Sequence, residues 1–506
     1  MTESDLARAV QDALGIDAET FQRRAAEDAD VIIDGLSEGV FDNPQAIVGF
    51  EYEFYAVDAE TSALRRVPRR MLEYIGFEKE LGLHNAEMST SPQPLNAHGL
   101  LAQEAEIKAR LTTALDCVRP EGITLVSDGV WTIPPEGEGS REYLTDHITD
   151  GGVRIAANMS DSVRYHAMAN AEGDTTPSMH LEAPNVTLDS TTVMPESLIT
   201  SIQPHYQVAH AADLAEYFNY ALRIAGPLLA LGANSPFFPP DLYDDVPVER
   251  ILEEAWMVHR IAVFESVLNE SVPGKVRFPH DLSSTEEAVD RVVADDTIVP
   301  MPVATSDRFD DEFAHFRMKH GTYWRWVRPV FGGATRSAAN ARIEFRPIGS
   351  QPTVRDSVAF LATFAGLLES LPRREHPVIG LDWADARENF YSAMRDGLAA
   401  DLSWITGGGE ETVEGEELFV DLFEYARDGL KLRGLSDQEV EQYLWPLRHR
   451  ARHGYSPAEL RHERVADLVS EGASLEEAIH TAQREYIDRQ KETLLEGSFA
   501  DWIDDR

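Results

Sequence analysis

Val48-Gly-Phe-Glu-Tyr-Glu-Phe-Tyr-Ala-Val-Asp58 is the stretch on which the reading of this chain turns. Its Phe, Tyr and Val content, and the Asp42-Asn43-Pro44 stop ahead of it, predict a β-strand. Side chains two apart on a strand share a face, so Glu51 and Glu53 point one way and Phe50, Tyr52 and Phe54 the other. The aromatic face predicts a packed core behind the strand. Two neighbouring carboxylates repel unless a cation lies between them or a carboxyl keeps its proton. The plain alternative is a solvated acidic face on an edge strand. Against it stand further carboxylates in similarly apolar strands downstream.

The alternation recurs. Ala341-Arg-Ile-Glu-Phe-Arg-Pro347 places Arg342, Glu344 and Arg346 on one face, with Ile343 and Phe345 behind. Ser201-Ile-Gln-Pro-His-Tyr-Gln-Val208 places Gln203, His205 and Gln207 together. Glu87, between Ala86 and Met88 in a short strand that ends at Ser91-Pro92, is a fourth candidate. Helices should cover the apolar backs. Residues 3 to about 36, 96 to 115 and 212 to 224 carry helical periodicity, and Gly122 to Ile133 reads as a strand. Residues 134–173 read as a loop-rich segment, with Tyr143, Arg154, Arg164, Tyr165 and His166 in it, and such segments often carry substrate contacts. Asn234-Ser-Pro-Phe is a helix-terminating turn. Tyr323, Trp324 and Trp326 are assigned to the core rather than to base stacking.

Beyond about Leu371 the texture changes to helices only. Capping boxes begin at Ser436, Ser456 and Ser474, each with Glu three residues on. The expected division is residues 1–372 and a C-terminal helical region, 373–506. No internal repeat is evident.

Lys+Arg is 45 and Asp+Glu is 88, a net charge of −43, with nearly all the basic residues arginine. An acidic surface almost free of lysine suits concentrated salt, where a Debye length of about 3 Å removes self-repulsion. Most of the acid is therefore solvation, and nucleic acid or an anionic membrane is a poor partner for this chain. The one cysteine, Cys117, excludes an internal disulfide framework and suits a reducing cytoplasm; it reads as a packed small residue. The start of the chain shows no signal peptide, and no apolar run reaches the ~20 residues of a membrane span. A cytoplasmic location is expected.

A polar sheet face backed by helices makes a trough. Glutamates there suit magnesium, which takes oxygen ligands and shares them with phosphates. Arginines beside them suit a transferring phosphoryl group. The combination points to ATP chemistry without a P-loop, and no G-x-x-x-x-G-K-[ST] occurs.

Gly49-Phe-Glu-Tyr-Glu-Phe54 resembles the opening motif of the glutamate–cysteine ligase type 2 / carboxylate–amine ligase family, usually Gly-Val-Glu-Glu-Glu-Phe. Glu87-Met-Ser-Thr90 resembles its second strand. Gln203-Pro-His205 sits where many members carry His-Val-His. Asn234-Ser-Pro-Phe follows at a fitting distance, and Trp326-Val-Arg-Pro and Arg342-Ile-Glu-Phe-Arg346 resemble the closing motifs. The resemblance spans residues 47 to 370 and points to a divergent, halophilic member.

It implies an α+β, glutamine-synthetase-like fold: an antiparallel sheet with helices on its back face, plus the C-terminal helices. It implies that ATP phosphorylates the γ-carboxylate of glutamate and that an amine attacks the acyl phosphate. Cysteine is the default acceptor, giving γ-glutamylcysteine, and another amino acid or amine fits equally well. Glu51, Glu53, Glu87 and Glu344 would hold magnesium, with manganese an admissible substitute. Arg346, and second Arg328, would neutralise the transferring phosphate, and Gln203 and His205 would line the nucleotide or metal side. Partners are small molecules, and a homo-oligomer is compatible. The chain departs from the pattern at Tyr52, which replaces the central Glu, and at Gln203, which replaces the first His. Two other readings stay open: a metal-dependent hydrolase that uses no ATP, and a degenerate ligase-like regulatory partner.

Overall fold

The structure, a computed structural model, describes residues 2–171, 179–269 and 274–504. The last two residues of the loop-rich segment, 172 and 173, lie outside the described residues. The chain opens with α1 (Glu3–Leu14) and α2 (Ala18–Ser37), not one continuous helix. Asp17 accepts from the Thr20 amide, and that cap starts a new helix at the break.

The central sheet is built from β1 (Ile47–Asp58), β2 (Glu78–Lys79), β3 (Asn85–Ser89), β4 (Gln93–Pro94), β5 (Ile123–Val126), β6 (Ile202–Val208), β7 (Val327–Gly332) and β8 (Asn340–Phe345). Its order is β7-β8-β6-β1-β3-β2, with β4 and β5 also pairing to β1. Every pairing is antiparallel, so the strands need no crossover units. β5 is shorter than its apolar run suggests, because the Asp128 carboxylate accepts from the Gly129 amide and from Arg461 and turns the chain away. The segment after it is not merely loop: it holds a short helix at Ser140–Thr145, a hairpin over 147–156 and a helix at Val163–Met168.

Phe50, Tyr52, Phe54, Ile343 and Phe345 are all buried on the back of the sheet. Against that back lie α3 (Ala97–Val118) and α4 (Leu214–Leu231), while α5 (His259–Asn269) and α6 (Ala314–His320) lie on the polar front side; α7 (Val354–Ser370) completes the back layer, stacking Phe364 on Phe345 at 4.7 Å. α4 runs through Pro227 instead of ending near Ile224. An interior proline costs about 3 kcal/mol. Each fully buried Leu returns about 1.5–3 kcal/mol, and Leu228, Leu229 and Leu231 are all fully buried, so burial wins.

The C-terminal chain adds α8 (Trp383–Asp396), α9 (Gly415–Leu432), α10 (Asp437–His453), α11 (Pro457–Ser470) and α12 (Leu475–Thr493). A small hairpin pairs Trp404–Ile405 with Glu411–Thr412, so the region is not helices alone. All three capping boxes form. α9 crosses α7 at backbone contact, where a Cβ on Gly429 would stand 1.8 Å from the Gly366 carbonyl oxygen. These helices also reach α7 and the end of β5. Arg450 lies 3.0 Å from Asp356, both fully buried, and Arg461 lies 2.7 Å from Asp128. Gln490 donates to the Ser127 carbonyl at 2.7 Å. No helix among the described residues is long and apolar enough to cross a membrane.

Candidate active site

The register carries the polar residues to one face. On one side of β1, Glu51 faces Gln203; on the other, Glu53 faces Glu87. His205 then faces Glu344, which faces Arg328. Because directly opposed residues share a face, one polar row crosses β7, β8, β6, β1 and β3. Every candidate from the sequence lies on this row or, like Arg346, just beyond the end of a strand.

The row floors two joined spaces. An inner chamber of about 180 Å³ is lined by Glu51, Glu53, Glu87, Gln203, Arg328 and Arg346, and also by Glu80, Tyr165, Glu196, Arg260 and Trp324. A wider cleft of about 490 Å³ opens beside it, with Glu51 and Gly321 common to both. His205, Gln207, Arg308, Arg317 and Arg342 line that cleft, where Gly332-Gly333 bring backbone to its wall. Gln203 and His205 therefore serve different spaces.

Glu53 is the most tightly held carboxylate. Its oxygens accept from the Ser201 amide at 2.6 Å, the Ser201 hydroxyl at 2.9 Å and Gln203 Nε2 at 3.0 Å. Burial still raises its pKa, against the pull of Arg260 and Ser201. Glu344 is the opposite case. Burial works against its charge, but Arg328 and Arg346, each 2.8 Å from Oε1, hold it well below the usual carboxylate range. Glu51 faces His205 Nε2 at 3.2 Å; burial opposes its charge, yet that contact lowers its pKa. Arg342 Nε donates to His205 Nδ1 at 3.4 Å, which leaves Nε2 turned to Glu51.

Burial raises Glu87 well above the ordinary value, and the charges of Glu51, Glu80 and Glu53 add to it. Glu80 is pushed up to about 7 by burial and then by Glu53. Glu196 reaches about 8 by burial and then Glu80 and Glu53, despite Arg260. Five carboxylates thus face three guanidinia in the chamber. Three of the five, Glu80, Glu87 and Glu196, are pushed towards their protonated form by burial and by one another. Ligand atoms of Glu51, His205 and Glu344 all lie within 4.8 Å of one another, a donor set that a divalent cation fits. Glu53 and Glu87 are not in that cluster; they face each other one strand over.

Tyr52, where the motif usually has Glu, points to the back. Its hydroxyl shares a hydrogen bond with Ser127 Oγ at 2.7 Å and donates to the Gln351 carbonyl at 3.3 Å. The departure therefore removes nothing from the polar face. Tyr323, Trp324 and Trp326 are buried as expected, with Trp324 also walling the chamber. His84 and His166 are fully buried and bonded to backbone carbonyls of Ser197 and Ser160.

Sequence reasoning missed Glu80, Glu196 and Arg260. Glu80 follows a two-residue strand and Glu196 sits in a 3-10 turn, neither of which has a period to read. Arg260 did leave a signal: it is the one arginine in the buried run Val258-His-Arg-Ile-Ala-Val-Phe264.

Comparison with curated proteins gives no match. Among solved structures, the chain is similar to the glutamate–cysteine ligase of Francisella tularensis in complex with AMP, at 10% identity and TM-score 0.49, covering 92% of this chain and 93% of that one. It is similar to a bifunctional glutathione synthetase from Pasteurella multocida at 13% identity and TM-score 0.45, covering 91% of this chain and 55% of that one. The model of glutamate-cysteine ligase family 2 (GCS2) matches residues 47–493. The chain belongs to glutamate–cysteine ligase family 2 and thereby to the ATP-dependent carboxylate–amine ligases.

Proposed function

We propose that this protein joins the γ-carboxylate of glutamate to an amine through an acyl phosphate, releasing ADP, with cysteine as the default acceptor. One observation carries the reading: carboxylates in excess of guanidinia line a small chamber that opens directly into a nucleotide-sized cleft. A carboxylate is a poor electrophile until one oxygen becomes a phosphate leaving group. Phosphorylation by ATP supplies that group, and the site must then bring three anions together.

Glu51, Glu53, Glu87 and Glu344 would hold magnesium, which when bound would neutralise the phosphates and the glutamate carboxylates at once. His205 and Arg342, on the cleft wall, would receive the nucleotide, and Gln203 keeps Glu53 oriented through its side-chain amide. Arg346 and Arg328 would draw the transferring phosphoryl group and stabilise its equatorial oxygens. Both contact Glu344 at 2.8 Å, which fixes their direction on the polar face. Trp324, Phe264 and Leu268 close one wall and exclude water from the acyl phosphate.

The test is phosphate release from ATP with magnesium and glutamate in high-potassium buffer, each amino acid being added in turn. A sharp rise with one acceptor, cysteine above all, is the expected result. Nucleotide binding with no release for any acceptor would refute the ligase reading.

A further inference from the structure

We propose that Asp310 is a positioning residue of the wider cleft: it fixes the guanidinia of Arg308 and Arg317 as a clamp for a polyphosphate chain, so that the cleft holds its nucleotide by the phosphates. The inference rests on the nucleotide reading above and gives a role to residues that the reading leaves unused.

Asp310 sits in the 3-10 turn Phe309–Phe313, just ahead of α6, and its side chain is 4% exposed. Three segments meet on its carboxylate. Arg308, from the chain before the turn, forks onto it, with Nε donating to Oδ1 and Nη2 to Oδ2, each at 2.8 Å. Arg317, on α6, brings Nη1 to 3.0 Å from Oδ1. The Gly333 amide, just past β7, donates to Oδ2 at 3.2 Å, and the Asp310 amide donates back to the Gly333 carbonyl at 3.3 Å. Burial works against the charge of Asp310, but these donors hold its pKa below the ordinary value.

Both arginines line the cleft, with side chains 49% and 39% exposed. Arg317 turns Nη1 to Asp310 and Asp311. Among the described residues neither guanidinium bonds elsewhere, so Arg308 keeps Nη1 open and Arg317 keeps Nε and Nη2 open. Asp310 is buried and the arginines it holds are half-exposed, so the tie leaves most of their donors to the cleft. Arg342 lines the same cleft and bonds to His205 and Asn340, with no ion pair among the described residues. Three guanidinia therefore face two carboxylates, Glu51 and Asp310, on a chain of net charge −43. That local cation excess points to an anionic ligand, and forked N–H donors match phosphate oxygens. Without the acid, two long side chains would have to be ordered at the moment of binding, each at a cost in rotamer entropy.

Asp310→Asn keeps the shape and an acceptor for the Gly333 amide but removes the charge that holds the arginines. KM for ATP, and the inhibition constant of inorganic tripolyphosphate against ATP with magnesium in excess, should rise together about tenfold, the low end for a charged hydrogen bond. The kcat, KM for glutamate and affinity for adenosine should stay within about twofold, because none of them reads the clamp. Asp310→Glu should recover part of the ATP KM. In the Arg308→Met/Arg317→Met background the Asp310→Asn effect should vanish, since the acid acts through those two side chains. An ATP KM and tripolyphosphate constant unchanged by Asp310→Asn would overturn the proposal. A loss shared equally by glutamate, adenosine and kcat, the mark of a purely structural tie, would overturn it too, as would the same ATP effect surviving without the arginines. Should Asp310→Asn fail to fold in a thermal melt, Arg308→Met and Arg317→Met carry the test at half-exposed positions, and an ATP KM unchanged in both would refute the clamp. Wild type that binds neither ATP nor tripolyphosphate would bring down the nucleotide reading itself, whereas wild-type turnover matched by Asp310→Asn would bring down this assignment alone.

Discussion

Glu344→Gln removes one charge from the polar row at nearly constant shape. In the wild-type protein Oε1 of Glu344 lies 2.8 Å from both Arg328 and Arg346, and its side chain is only 4% exposed. Removing one partner of a buried ion pair costs about 3–5 kcal/mol, because the other charge is left unpaired. Two features offset part of that cost. Arg346 also feels Glu51 and Glu53, and the substitution relieves the repulsion between Glu344 and Glu51. The expected loss therefore sits at the low end, about 3 kcal/mol, within a typical stability of about 5–15 kcal/mol. The variant should fold. Turnover should fall about 10²–10³-fold, the effect of deleting one preorganised charge at a transition state. The native carboxyl is held below its unfolded value, so its contribution is present above that value and vanishes only as pH falls through the folded pKa. The gap between variant and wild type should thus be flat from roughly pH 6 to 9. Urea denaturation and magnesium-dependent phosphate release measure the two effects. Wild-type turnover would remove Glu344 from the chemistry, and a gap that changes across that pH range would mean the carboxyl titrates there.

Arg450→Met should destabilise the protein by about 3–5 kcal/mol, since it strands Asp356, fully buried, without its ion pair; a urea-derived loss below about 1 kcal/mol would show that the C-terminal helices are not anchored there. Glu80 and Glu196 are raised to about 7 and about 8, so the folded state binds their protons more tightly than the unfolded one. Ligand-free stability should therefore fall as pH rises from the ordinary 4.5 towards 8, and magnesium should bind with proton release near pH 7, measured by calorimetry in buffers of different ionisation enthalpy. No proton release would contradict the charge excess in the chamber. Tyr52→Phe should cost about 1 kcal/mol, a net hydrogen bond, because the Ser127 hydroxyl still donates to the Gln351 carbonyl at 2.5 Å once the phenol is gone. Turnover per folded molecule should not change, and a kcat loss beyond the stability effect would place Tyr52 in the active face.

The strands that carry the candidate site were legible because a strand repeats every two residues and its buried back leaves the polar front conspicuous. Glu51 and Glu53 stand out between Phe50, Tyr52 and Phe54 for this reason, and so does Glu344 between Ile343 and Phe345. Their convergence was less legible. It depends on register, with Glu53 opposite Glu87 and Glu344 between His205 and Arg328, and the pairings that bring β6 between β1 and β8 join residues far apart in the chain, Glu51 with Gln203 and His205 with Glu344. Elements without a period stayed hidden. Glu80 and Glu196 enter from a strand stub and a single turn. The C-terminal helices show the same limit from another side. Arg450 and Arg461 look like ordinary helical surface charges in sequence, yet Arg450 is buried against Asp356 of α7 and Arg461 against Asp128, just past β5.

Net charge pointed towards solvation, and the structure explains why a count could not find the site among 88 acidic residues. Acids of the same type shift in opposite directions according to their surroundings. Glu287, on the surface, is pulled down to about 2 by its hydrogen bonds to Ser283, and Glu477 and Glu439 are lowered by the serines of their capping boxes. Their charge is already satisfied by the protein and water. Glu80, Glu87 and Glu196 are raised by burial and by one another. The protein supplies too few donors for them, so the deficit falls to what binds there. Screening by salt reaches the first group and not the second, because it acts through solvent. The acidity of the surface and the acidity that marks the candidate site therefore differ in burial and partners, while the residue type is the same.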